Sequence, residues 1–162
     1  MKKILIPLLI LACWLGSCKK DDDPFIDDLK NLVVGSSIDL GTTTIATSGG
    51  QVRISRPGTA VDGLEIDIPA NAFDTEQHVK VAFAEIKSHD LGPNVNPISP
   101  LINIRMEGGY ADELMRLTIP VTVPEGHIPI GFYFDGANGK LEGIPVESIS
   151  STSITLLTRH FS

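Results

Sequence analysis

Two cysteine thiols are the most reactive groups near the start of the chain: Cys13 lies within an uncharged segment, and Cys18 follows it. Met1-Lys2-Lys3 gives a positive start, and the twelve residues Ile4 to Leu15 carry no charge. A helix that crosses a bilayer needs roughly 20 apolar residues, so this shorter run indicates the apolar core of a secretory signal peptide instead. Gly16 and Ser17 are small, which predicts cleavage directly before Cys18.

Leu15-Gly16-Ser17-Cys18 resembles the lipobox of bacterial lipoproteins. The resemblance implies that the Cys18 thiol is diacylated, that residues 1–17 are removed, and that the new amine is acylated. Cleavage at Ile10-Leu11-Ala12-Cys13 is rejected, because apolar residues would follow that cut, whereas charge begins directly after Cys18. The other alternative is an ordinary secreted protein in which Cys18 is incidental. Each buried methylene contributes about 0.8 kcal/mol, so three acyl chains would anchor the protein to a membrane.

The mature chain would be acidic and free of thiols. Removing residues 1–17 from the 162 leaves 145 residues, enough for one domain, with 11 basic and 20 acidic side chains and a net charge of −9. This balance argues against nucleic acid or anionic lipid as a partner. With Cys13 removed and Cys18 alkylated, a disulfide, a zinc-thiolate site and a cysteine nucleophile are all excluded.

A charged run, Lys19-Lys20-Asp21-Asp22-Asp23, follows the predicted lipid. A charge run beside Pro24 is typical of a solvated spacer, since it cannot join a core. The run also resembles the surface-export signal of Bacteroidota lipoproteins, which implies an outer-membrane protein facing the cell exterior; the inner leaflet of the outer membrane is the alternative. Residues 18–30 are predicted to form a tether, because the residues from Lys19 to Lys30 can extend to at most about 40 Å.

Beyond residue 30, short alternating apolar runs are separated by Gly, Pro, Asn and Asp, and helical periodicity is not sustained. This pattern predicts an all-β, antiparallel β-sandwich over residues 31–162. Pro120, inside the longest run, predicts an edge strand or a bulge, and Asn138-Gly139 predicts a turn. The predicted strands are Gln51–Ser55, Gly63–Ile68, His78–Ile86, Pro100–Met106, Met115–Val123, Ile128–Phe134 (with Ile128, Ile130, Phe132 and Phe134 as its apolar stripe), Lys140–Val146 and Ser153–Thr158.

Five pieces of sequence, in this order and spacing, resemble the ZU-five domain of zonula occludens proteins, netrin receptors and ankyrins, which is also common in bacterial surface lipoproteins. The pieces are Ser48–Val52, Leu64–Phe73, Ser99–Ile102, Leu117–Val123 and Thr158–Ser162. The resemblance covers residues 48–162. It implies an immunoglobulin-like β-sandwich that serves as an interaction module without small-molecule chemistry. Two departures are Phe73, where Leu is commoner, and the long polar loop Lys87–Pro97.

The turn after Ile68 can be predicted without the family. Pro69 has no amide hydrogen, so it should end the ladder of the preceding strand. Asn71 suits a turn, and Phe73 can fold back onto the edge of the core.

His160-Phe161-Ser162 is the one constellation with a conceivable reaction. The ZU-five resemblance implies one, because some eukaryotic relatives cleave themselves before the Ser of such a triplet. There the Ser162 hydroxyl would attack the preceding carbonyl, and His160 would accept its proton. Since Ser162 is the last residue of this sequence, cleavage would release a single serine. We expect instead that the triplet closes the last strand with Phe161 packed inward; a gene product that continues past Ser162 would favour cleavage.

Metal and glycan sites have weaker signals. His78, His89 and His127 share no ligand spacing, and solvated or turn histidines are the expected reading. Asp90, Asn94 and Asn96 could surround a calcium ion, but the loop lacks an EF-hand pattern and is expected to be an ordinary polar loop. Trp14 leaves with the signal, so Tyr110 and Tyr133 are the only rings expected to stack on a sugar.

These observations predict a surface-exposed lipoprotein that presents one β-sandwich domain to an unknown protein or glycan partner. It is predicted to have no catalytic activity of its own, no metal, and no cofactor besides the covalent lipid on Cys18. The alternatives are a self-cleaving domain that acts through Ser162 and a glycan-binding accessory lipoprotein.

Overall fold

The computed structural model describes residues 29–161, and within that range it consists of β-strands and connecting turns. No helix in this range is long and apolar enough to cross a membrane. The strands are β1 (Leu32–Val34), β2 (Ile38–Ile45), β3 (Gly50–Arg53), β4 (Glu65–Ile68), β5 (Gln77–Ala84), β6 (Ile86–His89), β7 (Leu101–Arg105), β8 (Met115–Pro120), β9 (Gly131–Asp135), β10 (Lys140–Ile144), β11 (Val146–Ile149) and β12 (Ser153–Thr158).

The strands form two larger sheets and two small ones, and all the pairings are antiparallel. The larger sheets have the orders β11-β12-β8-β4-β3 and β2-β5-β7, and the small ones are β1-β6 and β9-β10. One hydrophobic core draws side chains from both larger sheets, including Ile66 of β4, Phe83 of β5 and Leu117 of β8. The predicted all-β antiparallel sandwich is therefore confirmed.

Side-chain alternation explains how these strands fill the core. Successive residues of a strand point to opposite faces, so apolar residues at spacing two reach the same side. Val79, Val81 and Phe83 of β5 are buried, and Lys80 between them is exposed. The apolar residues of the stripes predicted for β3, β4 and β8 are likewise buried, and so are alternate residues of β12.

The turn after β4 brings two distant pieces of sequence together. β4 ends at Ile68, before Pro69, and Asn71 has a positive φ of 62°, as a turn residue can. Phe73 is buried, and the Asn71 N–H donates to the Thr47 carbonyl oxygen at 2.9 Å. Gly49 lies so close that a Cβ atom there would be 2.5 Å from the Ile68 carbonyl oxygen. The absence of a side chain at Gly49 therefore permits this approach.

The prediction of an edge strand or bulge at Pro120 is wrong. β8 is the central strand of its sheet, between β12 and β4, and its registers show no irregularity. Pro120 is the last residue of β8, and on the β4 side the ladder ends before it, with the pair Glu65 and Thr118. The missing amide hydrogen therefore interrupts no bond to β4.

The prediction that Ile128, Ile130, Phe132 and Phe134 form an inward stripe is also wrong. Ile128 and Ile130 precede β9 and are 82% and 61% exposed, and Phe132 within β9 is 43% exposed. The opposite face of β9 is turned to the core: Gly131 is buried, and a Cβ atom on it would be 2.5 Å from Leu156 Cδ2. Tyr133, on that same face, packs against the core.

The predicted turn at Asn138-Gly139 is confirmed. Gly139 has a φ of 64°, and its N–H donates to the Asp135 carbonyl oxygen at 2.7 Å. The Asp135 carboxylate accepts further hydrogen bonds from the side chain and backbone N–H of Asn138, and these bonds hold the pKa of that carboxyl below its usual value. The turn therefore joins β9 to β10 as a tight hairpin.

Candidate functional site

The side chain of His160 contacts two tyrosine rings. The His160 and Tyr133 ring centroids are 4.8 Å apart, with planes inclined by 16°, so these rings are stacked. The Tyr110 centroid is 4.5 Å from that of His160, and the planes of these two rings are tilted by 53°. Stacked and tilted ring pairs of this kind are favourable contacts. The cluster joins the β7–β8 loop, strand β9 and the end of the chain.

Hydrogen bonds fix the backbone beneath these rings. The His160 carbonyl oxygen accepts bonds from the Tyr133 hydroxyl and from Thr158 Oγ1, both at 2.7 Å. The two hydroxyl groups also contact each other, and the His160 N–H donates to Thr158 Oγ1 at 3.1 Å. Because Thr158 is buried, this network lies beneath the surface. The Ala111 N–H adds a bond of 2.6 Å to the Arg159 carbonyl oxygen, which ties the β7–β8 loop to the same segment.

Burial of the Tyr133 side chain raises the pKa of its hydroxyl above the usual value, and the hydrogen bond with Thr158 opposes that shift in part. The folded protein therefore favours neutral Tyr133. This contribution to stability is fully present below the ordinary tyrosine pKa of about 10, and it is lost as the pH rises through the folded-state pKa.

A Tyr110→Phe variant provides a direct test of this shift, because the chain has two tyrosines and Tyr133 would remain as the only one. The ultraviolet absorbance of its phenolate should show a midpoint above about 10 in the folded protein, and a midpoint near about 10 after unfolding in urea. A folded-state midpoint at or below the unfolded value would contradict the burial of this hydroxyl.

The triplet His160-Phe161-Ser162 is described only in part. Phe161 is partly buried and packs against the core, and His160 takes part in the ring cluster. Ser162 lies outside the described residues. Self-cleavage through its hydroxyl therefore stays a prediction. So does the stacking of Tyr110 and Tyr133 on a sugar, although the Tyr110 ring is 74% exposed.

The other histidines lie on separate elements. His78 Nδ1 on β5 is 3.1 Å from Thr44 Oγ1 on β2, and His127 Nδ1 is 3.1 Å from the Glu125 carbonyl oxygen. His89 ends β6. Asn96, one of the residues considered for calcium, lines an open groove of about 310 Å³ beside β6. Within residues 29–161, no group of three or more His, Cys, Asp or Glu side chains is placed to hold a metal ion.

The predicted lipid site Cys18, the charged run Lys19 to Asp23 and the signal residues 1–17 lie outside the described residues. The described chain begins at Leu29, beside the turn that joins β9 to β10. The Lys30 N–H donates to the Gly136 carbonyl oxygen at 3.0 Å, and Asn31 Nδ2 donates to the Gly139 carbonyl oxygen at 3.3 Å. The chain therefore enters the domain at this turn.

Sequence reasoning missed an exposed apolar surface, which we call the hairpin face. It consists of the exposed Ile128, Ile130 and Phe132 and the half-buried Phe134 and Leu141. Phe134 is opposite Leu141 in the β9–β10 ladder, and directly opposed residues lie on the same face of a sheet. The signal that could have revealed it is the alternate pair Gly131 and Tyr133, which suits a close approach to the core.

No protein-family model matches the chain, and no curated protein or solved structure is significantly similar to it. The resemblance to the ZU-five domain therefore stays a prediction based on the residues themselves. Two of the pieces that carry it, Ser48–Val52 and Leu64–Phe73, contact each other at Gly49.

Proposed function

We propose that this protein is a lipid-anchored protein of the bacterial outer membrane that presents a β-sandwich interaction domain at the cell exterior. The observation that carries the proposal is Leu15-Gly16-Ser17-Cys18, which stands between an uncharged segment and a charged run. Acyl chains on Cys18 would hold the domain at a membrane, because several buried chains dissociate far more slowly than one.

The position of the folded domain supports this arrangement. The first strand, β1, begins at Leu32, so more than ten residues separate the domain from Cys18. The residues between include Lys19-Lys20-Asp21-Asp22-Asp23, whose resemblance to a surface-export signal supports an outward-facing location. The domain can then meet partners in the medium without leaving the membrane.

The surface of the domain supports binding as its role. Tyr110 and Phe132 are aromatic and exposed, and aromatic side chains are enriched where proteins contact partners. The net charge of −9 in residues 18–162 favours a partner other than nucleic acid. Recognition, with no reaction catalysed, is the activity that we propose.

The two cysteines allow a matched test of lipid attachment. In a bacterial host that processes lipoproteins, the wild type and a Cys13→Ser variant should both incorporate labelled palmitate, whereas Cys18→Ser should incorporate none. Mass spectrometry of the wild type should place the acyl groups on a chain that begins at Cys18. Protease added to intact cells should remove the labelled domain if it faces the exterior.

The Cys13→Ser variant controls for changes to the apolar segment that do not touch the acceptor thiol. Label retained by Cys18→Ser, or lost from Cys13→Ser, would contradict the proposed anchor. Labelled protein that resists protease until the cells are broken would contradict surface display alone.

A further inference from the structure

We propose that the hairpin face is a membrane-docking surface that rests on the neutral lipid interface of the bilayer to which the protein is anchored. The inference rests on the proposed acylation of Cys18. It adds a second, noncovalent contact with lipid, made by the folded domain itself.

The composition of the hairpin face suits a lipid interface. In the β9–β10 ladder, Phe132 is opposite Gly143 and Phe134 is opposite Leu141, so both strands place uncharged residues on this side. Glu142 is opposite Tyr133 and therefore lies on the other face. Ile128 and Ile130 extend the apolar surface beyond the strand. Aliphatic and Phe side chains on one face of an element are the groups that enter the boundary between headgroups and acyl chains, to a depth of about 5–10 Å.

The path of the chain brings this face within reach of the membrane. Leu29 lies beside Gly136, where Phe134 is also a neighbour, and Lys30 is bonded to the same turn. The ten residues 19–28 connect Cys18 to this point and can extend to at most about 35 Å. The tether therefore joins the domain at the turn of the hairpin. Phe134 and Phe132 lie on β9 next to this turn.

The tether makes a weak contact sufficient. A domain held within a few nanometres of a surface meets it at a high effective concentration, so a small apolar patch can dock although it would not bind vesicles from solution. The net charge of the chain indicates which headgroups it can approach. Residues 18–162 carry a net charge of −9, which disfavours contact with an anionic lipid surface. A headgroup without net charge is therefore expected, and phosphatidylcholine represents this class in the experiment.

The experiment uses the mature chain, residues 18–162, coupled through the Cys18 thiol to a maleimide-bearing lipid in phosphatidylcholine vesicles. This thiol is the only one in that chain, and Trp14 is absent from it, so an introduced tryptophan is the only one present. Phe132→Trp reports on the hairpin face. Ile149→Trp is the matched control, because Ile149 is 48% exposed on the edge strand β11 of the five-stranded sheet. Circular dichroism checks that each variant keeps its strands.

With brominated phosphatidylcholine, the fluorescence of Phe132→Trp should fall about twofold, while that of Ile149→Trp stays unchanged. Ile130→Asp in the Phe132→Trp chain should abolish most of the quenching, and anionic lipid should weaken it. Equal quenching at both positions, or none at Phe132→Trp, would overturn the docking surface. A blue shift that needs no vesicles and grows with protein concentration would assign the face to a second copy and overturn it too.

The chemical coupling separates this test from that of the proposed function. The maleimide supplies the anchor whether or not the host acylates Cys18, so failure of palmitate labelling would not change the vesicle result. Labelling without quenching would leave the anchor intact and remove only the docking surface.

Discussion

A Gly49→Ala variant should lose about 4 kcal/mol of its free energy of unfolding, which is a large share of the stability of a small domain. Gly49 has a φ of 79°, and a Cβ atom on it would be 2.5 Å from the Ile68 carbonyl oxygen and 2.6 Å from the Ala70 nitrogen. These are backbone atoms of the turn after β4, so they cannot rotate away as a side chain can. Urea unfolding of purified protein, followed by circular dichroism, measures the loss.

Two other glycines serve as controls, because they show the effect of a positive φ on stability without the steric clash expected at Gly49. Gly58 and Gly63 also have positive φ values, 83° and 90°, but a Cβ atom on either would meet nothing within 4 Å. Gly58→Ala and Gly63→Ala should therefore each lose only about 1 kcal/mol, the cost of an L residue in this conformation. If all three variants lose the same free energy, the approach of Gly49 to the turn is not what stabilises the domain.

Phe83→Ala should lose about 3–5 kcal/mol, whereas Phe132→Ala should change the free energy of unfolding by no more than about 0.5 kcal/mol. Phe83 on β5 is 2% exposed and lies in the core between the two larger sheets, so its removal leaves a cavity. Phe132 is on the hairpin face, where water already reaches its ring. Urea unfolding under identical conditions compares the two variants.

A Phe83→Leu variant tests whether the loss reflects the cavity, because a leucine fills part of it. Its loss should be about 1–1.5 kcal/mol, well below that of alanine. Comparable losses for Phe83→Ala and Phe132→Ala would mean that Phe132 is a core residue. The inward stripe predicted from Ile128 to Phe134 would then be right after all.

The sequence predicts a strand well where one face of it is continuously apolar. β12 was predicted at its observed bounds, Ser153–Thr158, and Ile154 and Leu156 on one of its faces are buried. β2 was missed because its residues Ile38–Ile45 include a run of three threonines and little alternation of polarity. Its ladder with β5 also has an irregularity between Asp39 and Gly41. Only Ile45 of this strand is buried, so its position follows from pairing with β5 and not from an apolar stripe of its own.

The orientation of β9 shows why alternation alone can be misleading. Ile128, Ile130, Phe132 and Phe134 recur at spacing two, so this stripe was assigned to the core, although Tyr133 on the opposite face is also aromatic. The deciding contact is between Gly131 and Leu156, residues that are distant in sequence but adjacent in the structure. No local pattern contains that information.

The residues of the candidate site were also identified from the sequence, but their contacts were not. His160 was identified from the last triplet, and Tyr110 and Tyr133 were identified as rings that could stack on a sugar. That both tyrosine rings contact His160 depends on how β9 and the β7–β8 loop meet residues 158–161, which a single sequence does not encode locally. Thr158 was predicted as the end of a strand and as the first residue of the Thr158–Ser162 piece, and its hydrogen bond to the backbone of His160 was not foreseen.

The attachment of Leu29–Asn31 to the β9–β10 turn has a mechanical consequence. If Cys18 carries the proposed lipid, a pull on the domain by shear flow or a bound particle loads the Lys30–Gly136 and Asn31–Gly139 hydrogen bonds first and then the short β1–β6 ladder. Those contacts can break in succession, which lengthens the tether before the force reaches the core of the sandwich. Residues 29–31 and the β1–β6 ladder would thus unfold first under load, and the two larger sheets would stay folded.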